Sequence, residues 1–340
     1  MILIDSLFIN SQGGINLLRL IINYAKSKQE KCFFLIDDRL KNKIDVDDLK
    51  VVFVKPSILN RHLFYFKNKL SFSSVFCFAN LPPTISLDCV VYTFFQNINI
   101  LNPDHNKSVK NFIKNIFLKL FKKNTNFWIV QTNYTKKMLS KNKINADKIK
   151  VIPFFSEKLK RKRVNVNSNA NKESNCLNFF YPCDGEKHKN HLKLINAFSN
   201  YNKINRNSKL ILTIDKKYTR IIKKINNEIN NGTKIINLGI LTQQDLHAEY
   251  LKTDVVIFPS LGESLGLGLI EACIYNIPIF ASDLEYVHEI IEPSAIFDPF
   301  NEKSILKTLS SAQEYLPTKP KLKISNKIDE IFDLISPNKC

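Results

Sequence analysis

The sequence predicts two α/β domains, each a doubly wound parallel sheet covered by helices. Three observations carry that expectation. Short apolar runs without polar alternation recur along the chain, as strands buried on both faces do. Helical periods fall between them, which makes the strands parallel and the helices crossovers. A polar stretch near residue 165 parts the 340 residues into two halves of domain size.

In the first half the expected strands are 2–8, 32–36, 51–54, 75–79, 90–95, 128–131 and 149–152. In the second they are 177–181, 210–214, 234–237, 255–259 and 278–281. Helical periods cover 15–25, 108–123, 191–201, 243–251 and 267–274. The stretch 156–175 is rich in Lys, Arg, Asn and Ser, with a basic cluster at 158–163, and has too few apolar residues to pack. The expected organisation is a first domain over 1–160, a linker over 161–175, a second domain over 176–318, and a helical tail over 319–340 that can return to the first domain. No repeat of fixed period is present, and a cleft between the domains is the default ligand site.

With 44% hydrophobic and 24% charged residues the chain can bury a sizeable core, which excludes disordered and collagen-like classes. Residues 1–163 hold 29 Lys+Arg against 11 Asp+Glu, while the rest holds 21 against 20, so one half carries almost all of the net +19. Such a field attracts a polyanion: nucleic acid, an anionic membrane face or a phosphorylated substrate. The seven cysteines are scattered and form no CxxC pair, which suits a reducing compartment. Met1–Asp5 lacks the basic start and apolar run of a signal peptide, and no apolar run nears the roughly 20 residues of a membrane span. The expected location is cytoplasmic.

Glycine is scarce, eight in the chain, yet three fall at Gly262, Gly266 and Gly268, after a buried strand and at the start of a helix. Glycines let backbone approach a ligand, and a helix start offers unpaired N–H groups and the positive end of a dipole, so the segment reads as a phosphate cradle. Glu271 lies on that helix among Leu267, Leu269, Ile270, Ala272, Cys273 and Ile274. A lone carboxylate there needs a partner. A ribose diol suits it, and so does a backbone or arginine partner within the core. Glu263, at the mouth of the loop, could accept from sugar hydroxyls.

The segment 253–283 resembles the donor-site signature of family 4 glycosyltransferases: a glutamate, seven residues, and a second glutamate on the following helix. The likeness takes in Thr253-Asp254 to Pro259-Ser260, Ile277-Pro278 to Asp283, and Phe297-Asp298-Pro299. The resemblance implies a GT-B fold, two Rossmann-like domains facing a central cleft, and sugar transfer from a UDP- or GDP-linked nucleotide sugar with retention of configuration. It implies that Glu263 meets the donor sugar, Glu271 the ribose, and the amides of Ser264, Leu265, Gly266 and Leu267 the diphosphate. His188-Lys189-Asn190-His191 resembles the family segment whose lysine holds the donor phosphates, here Lys189, which with Glu263 makes the implied catalytic pair. The family's nearby arginine is absent, leaving Lys187 or His188 as its substitute; apart from the family, Lys187–His191 reads either as basic residues at a helix start that suit a diphosphate leaving group or as an exposed helix start. Gly13-Gly14 matches the family's N-terminal glycine loop and Gly239 the start of its base-binding loop. Asn80-Leu-Pro82-Pro83 and Phe95-Gln96-Asn97 resemble relatives that assemble surface polysaccharides, such as capsule or lipopolysaccharide, on a glycan or lipid-linked acceptor. Asn276 stands where the family has glycine, and Phe154-Phe155 where it has Asn-Gly.

No metal or other cofactor is implied. Asp45-Val46-Asp47 matches a DxD pattern but sits in a polar, lysine-rich stretch. Val109, Phe112, Ile113, Ile116, Phe117, Leu120 and Phe121 form a helical stripe flanked by lysines. In an α/β domain such a stripe packs on the sheet, and a basic amphipathic helix can equally lie on an anionic inner membrane face. Arg61–Lys69 reads as a more loop-like basic-aromatic stretch and a second membrane contact. Other readings are another sugar-nucleotide enzyme of this fold and a basic nucleic-acid- or membrane-binding protein; no nucleic-acid motif is present.

Overall fold

The computed structural model describes residues 1–101, 109–157, 176–316 and 318–336. The expected linker 161–175, the cluster 158–163 and the first residue of the helix expected over 108–123 lie outside them. The chain divides into two compact units, one formed by 1–156 with 325–340 and one by 157–324.

The first unit opens with β1 (Ile2–Ser6), α1 (Gln12–Ser27), β2 (Cys32–Asp37), β3 (Lys50–Val54), α2 (Ile58–Lys67) and β4 (Ser74–Cys77). It continues with β5 (Val90–Phe94), α3 (Val109–Phe121), β6 (Phe127–Val130), α4 (Asn133–Lys141) and β7 (Ile149–Val151). Its seven strands lie in the order β3-β2-β1-β4-β5-β6-β7, all pairs parallel. The order reverses between β1 and β4, where the crossover β3–α2–β4 passes to the other half of the sheet. Ile4, Phe76 and Phe94 are fully buried in the middle strands, as runs covered on both faces require.

The second unit begins with β8 (Asn178–Tyr181), α5 (His191–Ile204), β9 (Lys209–Leu212), α6 (Thr219–Asn230), β10 (Ile235–Asn237), α7 (Gln243–Tyr250) and β11 (Val255–Phe258). It ends with α8 (Leu267–Ile274), β12 (Ile279–Ser282), α9 (Glu285–Ile290), β13 (Ile291–Glu292), β14 (Ala295–Phe297), α10 (Glu302–Ser310), α11 (Ala312–Tyr315) and β15 (Lys321–Leu322). Six strands form a parallel sheet ordered β10-β9-β8-β11-β12-β14, reversing between β8 and β11, while β13 and β15 pair antiparallel. The last helix, α12 (Ile328–Ile335), returns to the first unit. There Phe332 stacks on Tyr24 at 4.4 Å, Tyr24 donates to Asp329 at 2.6 Å, and Ser74 donates to the Ile335 carbonyl at 2.5 Å.

Two local expectations are corrected. The stretch Arg61–Lys69, expected to be loop-like, is mostly helix α2. Ser57 caps it by accepting from the Asn60 N–H at 3.0 Å, and Arg61 and Tyr65, one turn apart, both reach the buried Asp5. That anchoring outweighs the aromatic residues' modest helix propensity. Gly13 and Gly14 lie not in a loop but in the first turn of α1, where Ser11 accepts from the Gly14 N–H at 3.3 Å.

Candidate functional site

In an open parallel sheet the strands that flank the order reversal splay their following loops apart, leaving a crevice at their carboxyl ends. In the second unit those strands are β8 and β11. The loop after β8 carries Lys187, His188 and Lys189, and the loop after β11 carries Glu263 to Gly266. They are laced together: the Leu261 N–H donates to the His188 carbonyl at 2.8 Å, and Asn190 Nδ2 donates to the carbonyls of Pro259 at 3.2 Å and Pro299 at 2.8 Å. Asn190 takes a left-handed conformation, φ 61°, which turns the chain from the short helical turn 187–189 into α5.

The lacing brings Lys189 and Glu263 into contact. Lys189 Nζ lies 2.7 Å from Glu263 Oε1, and Ser260 Oγ donates to the same oxygen at 2.6 Å. The two charged side chains are only 15% and 11% exposed. Burial by itself would push each group toward its neutral form, but their mutual attraction prevails: the carboxyl is held below the usual carboxylate range and the ammonium above the usual lysine value. Both are charged at neutral pH. Burial lowers the His188 pKa from the ordinary histidine value, so its ring is neutral at pH 7. Of the two residues expected to substitute for the absent arginine, Lys187 is exposed and His188 half-buried. His191 is buried with Nε2 bonded to the Asp184 carbonyl at 2.7 Å, and burial lowers its pKa to about 4, which makes it a neutral core residue.

Gly266 is the N-cap of α8 at φ 63°, a left-handed position that costs a side-chain-bearing residue strain. Gly268 serves a different purpose: a Cβ there would sit 3.1 Å from the Phe258 ring, so this glycine seats α8 on β11. Gly266 thus frees the backbone at the helix start, and Gly268 is a packing glycine that the sequence alone had grouped with it. Leu265 is buried, Ser264 and Leu267 half-buried. The first N–H groups of α8 have no acceptor within the helix, and the dipole places positive potential there.

Glu271 lies on the next turn of α8. Among the described residues no arginine meets it. Tyr250 at the end of α7 donates to its Oε2 at 2.8 Å. Tyr250 stacks on Tyr275 at 4.8 Å, and the Tyr275 hydroxyl is hydrogen-bonded to His247 Nδ1. Burial raises the Glu271 carboxyl to about 7, and the Tyr250 hydrogen bond pulls it back only in part. This aromatic prop was not legible in the sequence, because helical period does not show which side chains meet across two helices. Gly239 follows β10 at φ 70°, with nothing within 4 Å of where a Cβ would sit, and Asn276 occupies the left-handed region at φ 52°. Gly13 and Gly14 lie in the first unit, after β1 at that sheet's own reversal. Asp45 there pairs with Lys26 at 3.0 Å in an exposed turn.

Residues 167–317 match the family model described as glycosyl transferases group 1. That match supports a glycosyltransferase. A curated relative, an uncharacterized 41.2 kDa protein in the cps region of Klebsiella pneumoniae, is 26% identical over 277 residues, spanning 78% of this chain and 68% of its own. Among solved structures, Alr3699/HepE of Anabaena in complex with UDP and glucose is 15% identical, covers 98% of both chains and gives a TM-score of 0.69. WaaG, a glycosyltransferase involved in lipopolysaccharide biosynthesis, is 13% identical with a TM-score of 0.71 and covers 99% of this chain and 100% of its own. The fold is GT-B, two parallel-sheet α/β domains of seven and six strands.

Proposed function

We propose that the chain transfers a sugar from a UDP- or GDP-linked donor to a glycan or lipid-linked acceptor, with retention of configuration, in the synthesis of a surface polysaccharide such as capsule or lipopolysaccharide. The observation that carries this reading is the Lys189–Glu263 pair at the β8/β11 reversal, beside the glycine-capped start of α8. A fold relative bound to UDP and glucose and a relative from a cps region support the donor class and the pathway.

In this reading the diphosphate lies against the α8 amides and Lys189, with Lys187 as the second cation. Glu271 accepts from the ribose hydroxyls while Tyr250 holds its other side. The diphosphate gains negative charge as the sugar departs, and the ammonium and helix start stabilise it. Removing one such contact elsewhere costs roughly 2.7–4 kcal/mol of barrier. Glu263 orients the sugar rather than attacking it, since a carboxylate bonded to Lys189 and Ser260 is a weak nucleophile. The departing phosphate takes the acceptor's proton on the face it leaves, which retains configuration. No metal enters this scheme; its residues lie in the loops after β8 and β11 and on α7 and α8.

A thermal-shift panel of UDP, GDP and their sugars tests the reading, because a ligand at about 100 times its Kd stabilises by roughly 2.7 kcal/mol. Glu271→Ala and Lys189→Ala should each abolish the shift and donor turnover. Turnover near wild type in both variants removes the site assignment.

A further inference from the structure

In the first unit, α2 and α3 cover the same face of the seven-stranded sheet. Tyr65 of α2 packs with Leu3, Val75 and Val91, and Leu118 of α3 with Trp128 and Val130. Thr93, two residues beyond Val91 and so on the same face, pairs in register with Trp128, which joins both clusters on one side. Only a few side chains of each helix reach the sheet. On α2 and the turn after it, Ile58, Leu59, Leu63, Phe66 and Leu70 are 43–83% exposed; on α3, Val109, Phe112, Ile113, Ile116 and Leu120 are 43–73% exposed. Single exposed apolar residues are ordinary, but nine on two helices of one face, with Leu70 just after the first, are not.

The surrounding charge is almost entirely of one sign. Residues 49–146 hold fifteen lysines and arginines against two aspartates, Asp88 and Asp104. Lys55, Lys67 and Lys69 near α2, and Lys119 and Lys123 on or after α3, are exposed, Lys69 at 3.3 Å from Asp88. A second copy of the chain would set two such fields against each other. Single-stranded nucleic acid stacks on aromatic rings, whereas eight of these ten side chains are aliphatic. An anionic bilayer accepts both components, apolar side chains at the acyl boundary and ammonium groups among the headgroups.

We propose that the α2–α3 face docks on an anionic lipid bilayer, inserting the side chains of both helices while their lysines meet the headgroups. The proposal is independent of the donor-site reading, which concerns the other unit.

The test is flotation of the full chain with vesicles of phosphatidylglycerol and phosphatidylethanolamine, against vesicles of phosphatidylcholine alone. The chain should float with the anionic vesicles only, and less as salt rises. Phe66→Ser with Phe112→Ser changes two solvent-exposed positions, so Tm should hold while partitioning falls at least about tenfold. Lys119→Glu with Lys123→Glu should weaken binding most at low salt. UDP-glucose affinity should be unchanged in both variants. Equal binding to neutral and anionic vesicles, partitioning indifferent to the apolar pair, or a solution dimer that this pair dissociates overturns the proposal.

Discussion

Glu271 lies on a mostly apolar helix, and its hydrogen bond from Tyr250 does not offset burial. Its folded-state pKa, about 7, lies above the ordinary glutamate value. The folded chain therefore binds this proton more tightly than the unfolded chain, and stability falls as pH rises from the ordinary value through about 7. Glu271→Gln should flatten that fall, read as Tm across the same range. The ionised form is the better acceptor for ribose hydroxyls, so UDP-glucose, whose diphosphate diester does not titrate there, should bind more tightly above pH 7 than below. Tyr250→Phe removes the bond that lowers this pKa, and the midpoint of that affinity profile should move upward. The need for a partner at Glu271 was legible from a lone carboxylate on an apolar helix. The identity of the partner, 21 residues earlier on α7, was not.

Helix α8 is fixed at its N-terminal end by a left-handed cap at Gly266 and by the close seat of Gly268 on Phe258. Gly266→Ala should cost about 1–2 kcal/mol of stability through strain at the left-handed position, and should weaken UDP binding by tilting the first amides. Denaturant unfolding and thermal shift separate the two effects. Helix α2 depends on the buried Arg61, which donates to Asp5 at 2.6 Å and to the carbonyls of Pro82 and Leu81 at 2.6 and 2.8 Å. Arg61→Met leaves Asp5 buried without its cation and the loop after β4 untied, a loss of roughly 3–5 kcal/mol. The strands were legible because runs such as Phe34-Leu35-Ile36 are buried on both faces. The orientation of α3 was less so: its stripe matched a sheet-packing helix, yet Leu118 and Phe117 face inward and most of the stripe faces out.

Across the whole molecule, charge and connectivity are unevenly distributed. The two-domain α/β reading rested on apolar runs of the right length and on a polar stretch between them. The route of the last helix was less legible, because a short amphipathic segment such as 328–335 fits many surfaces. Its hydrogen bonds and the Tyr24–Phe332 stack tie it to β4 and α1. Phe332→Ala should remove about 3–5 kcal/mol from the first unit. Trp128, the chain's one tryptophan and a core residue of that unit, should report the loss in fluorescence-monitored unfolding. The path from 156 out through the second unit and back at 325 also sets an order of assembly on the ribosome. The second unit is fully translated before α12 emerges, so its sheet can close while the earlier unit still lacks a wall. Until those final turns arrive, nascent Tyr24 and β4 keep bare apolar surface that a chaperone can hold.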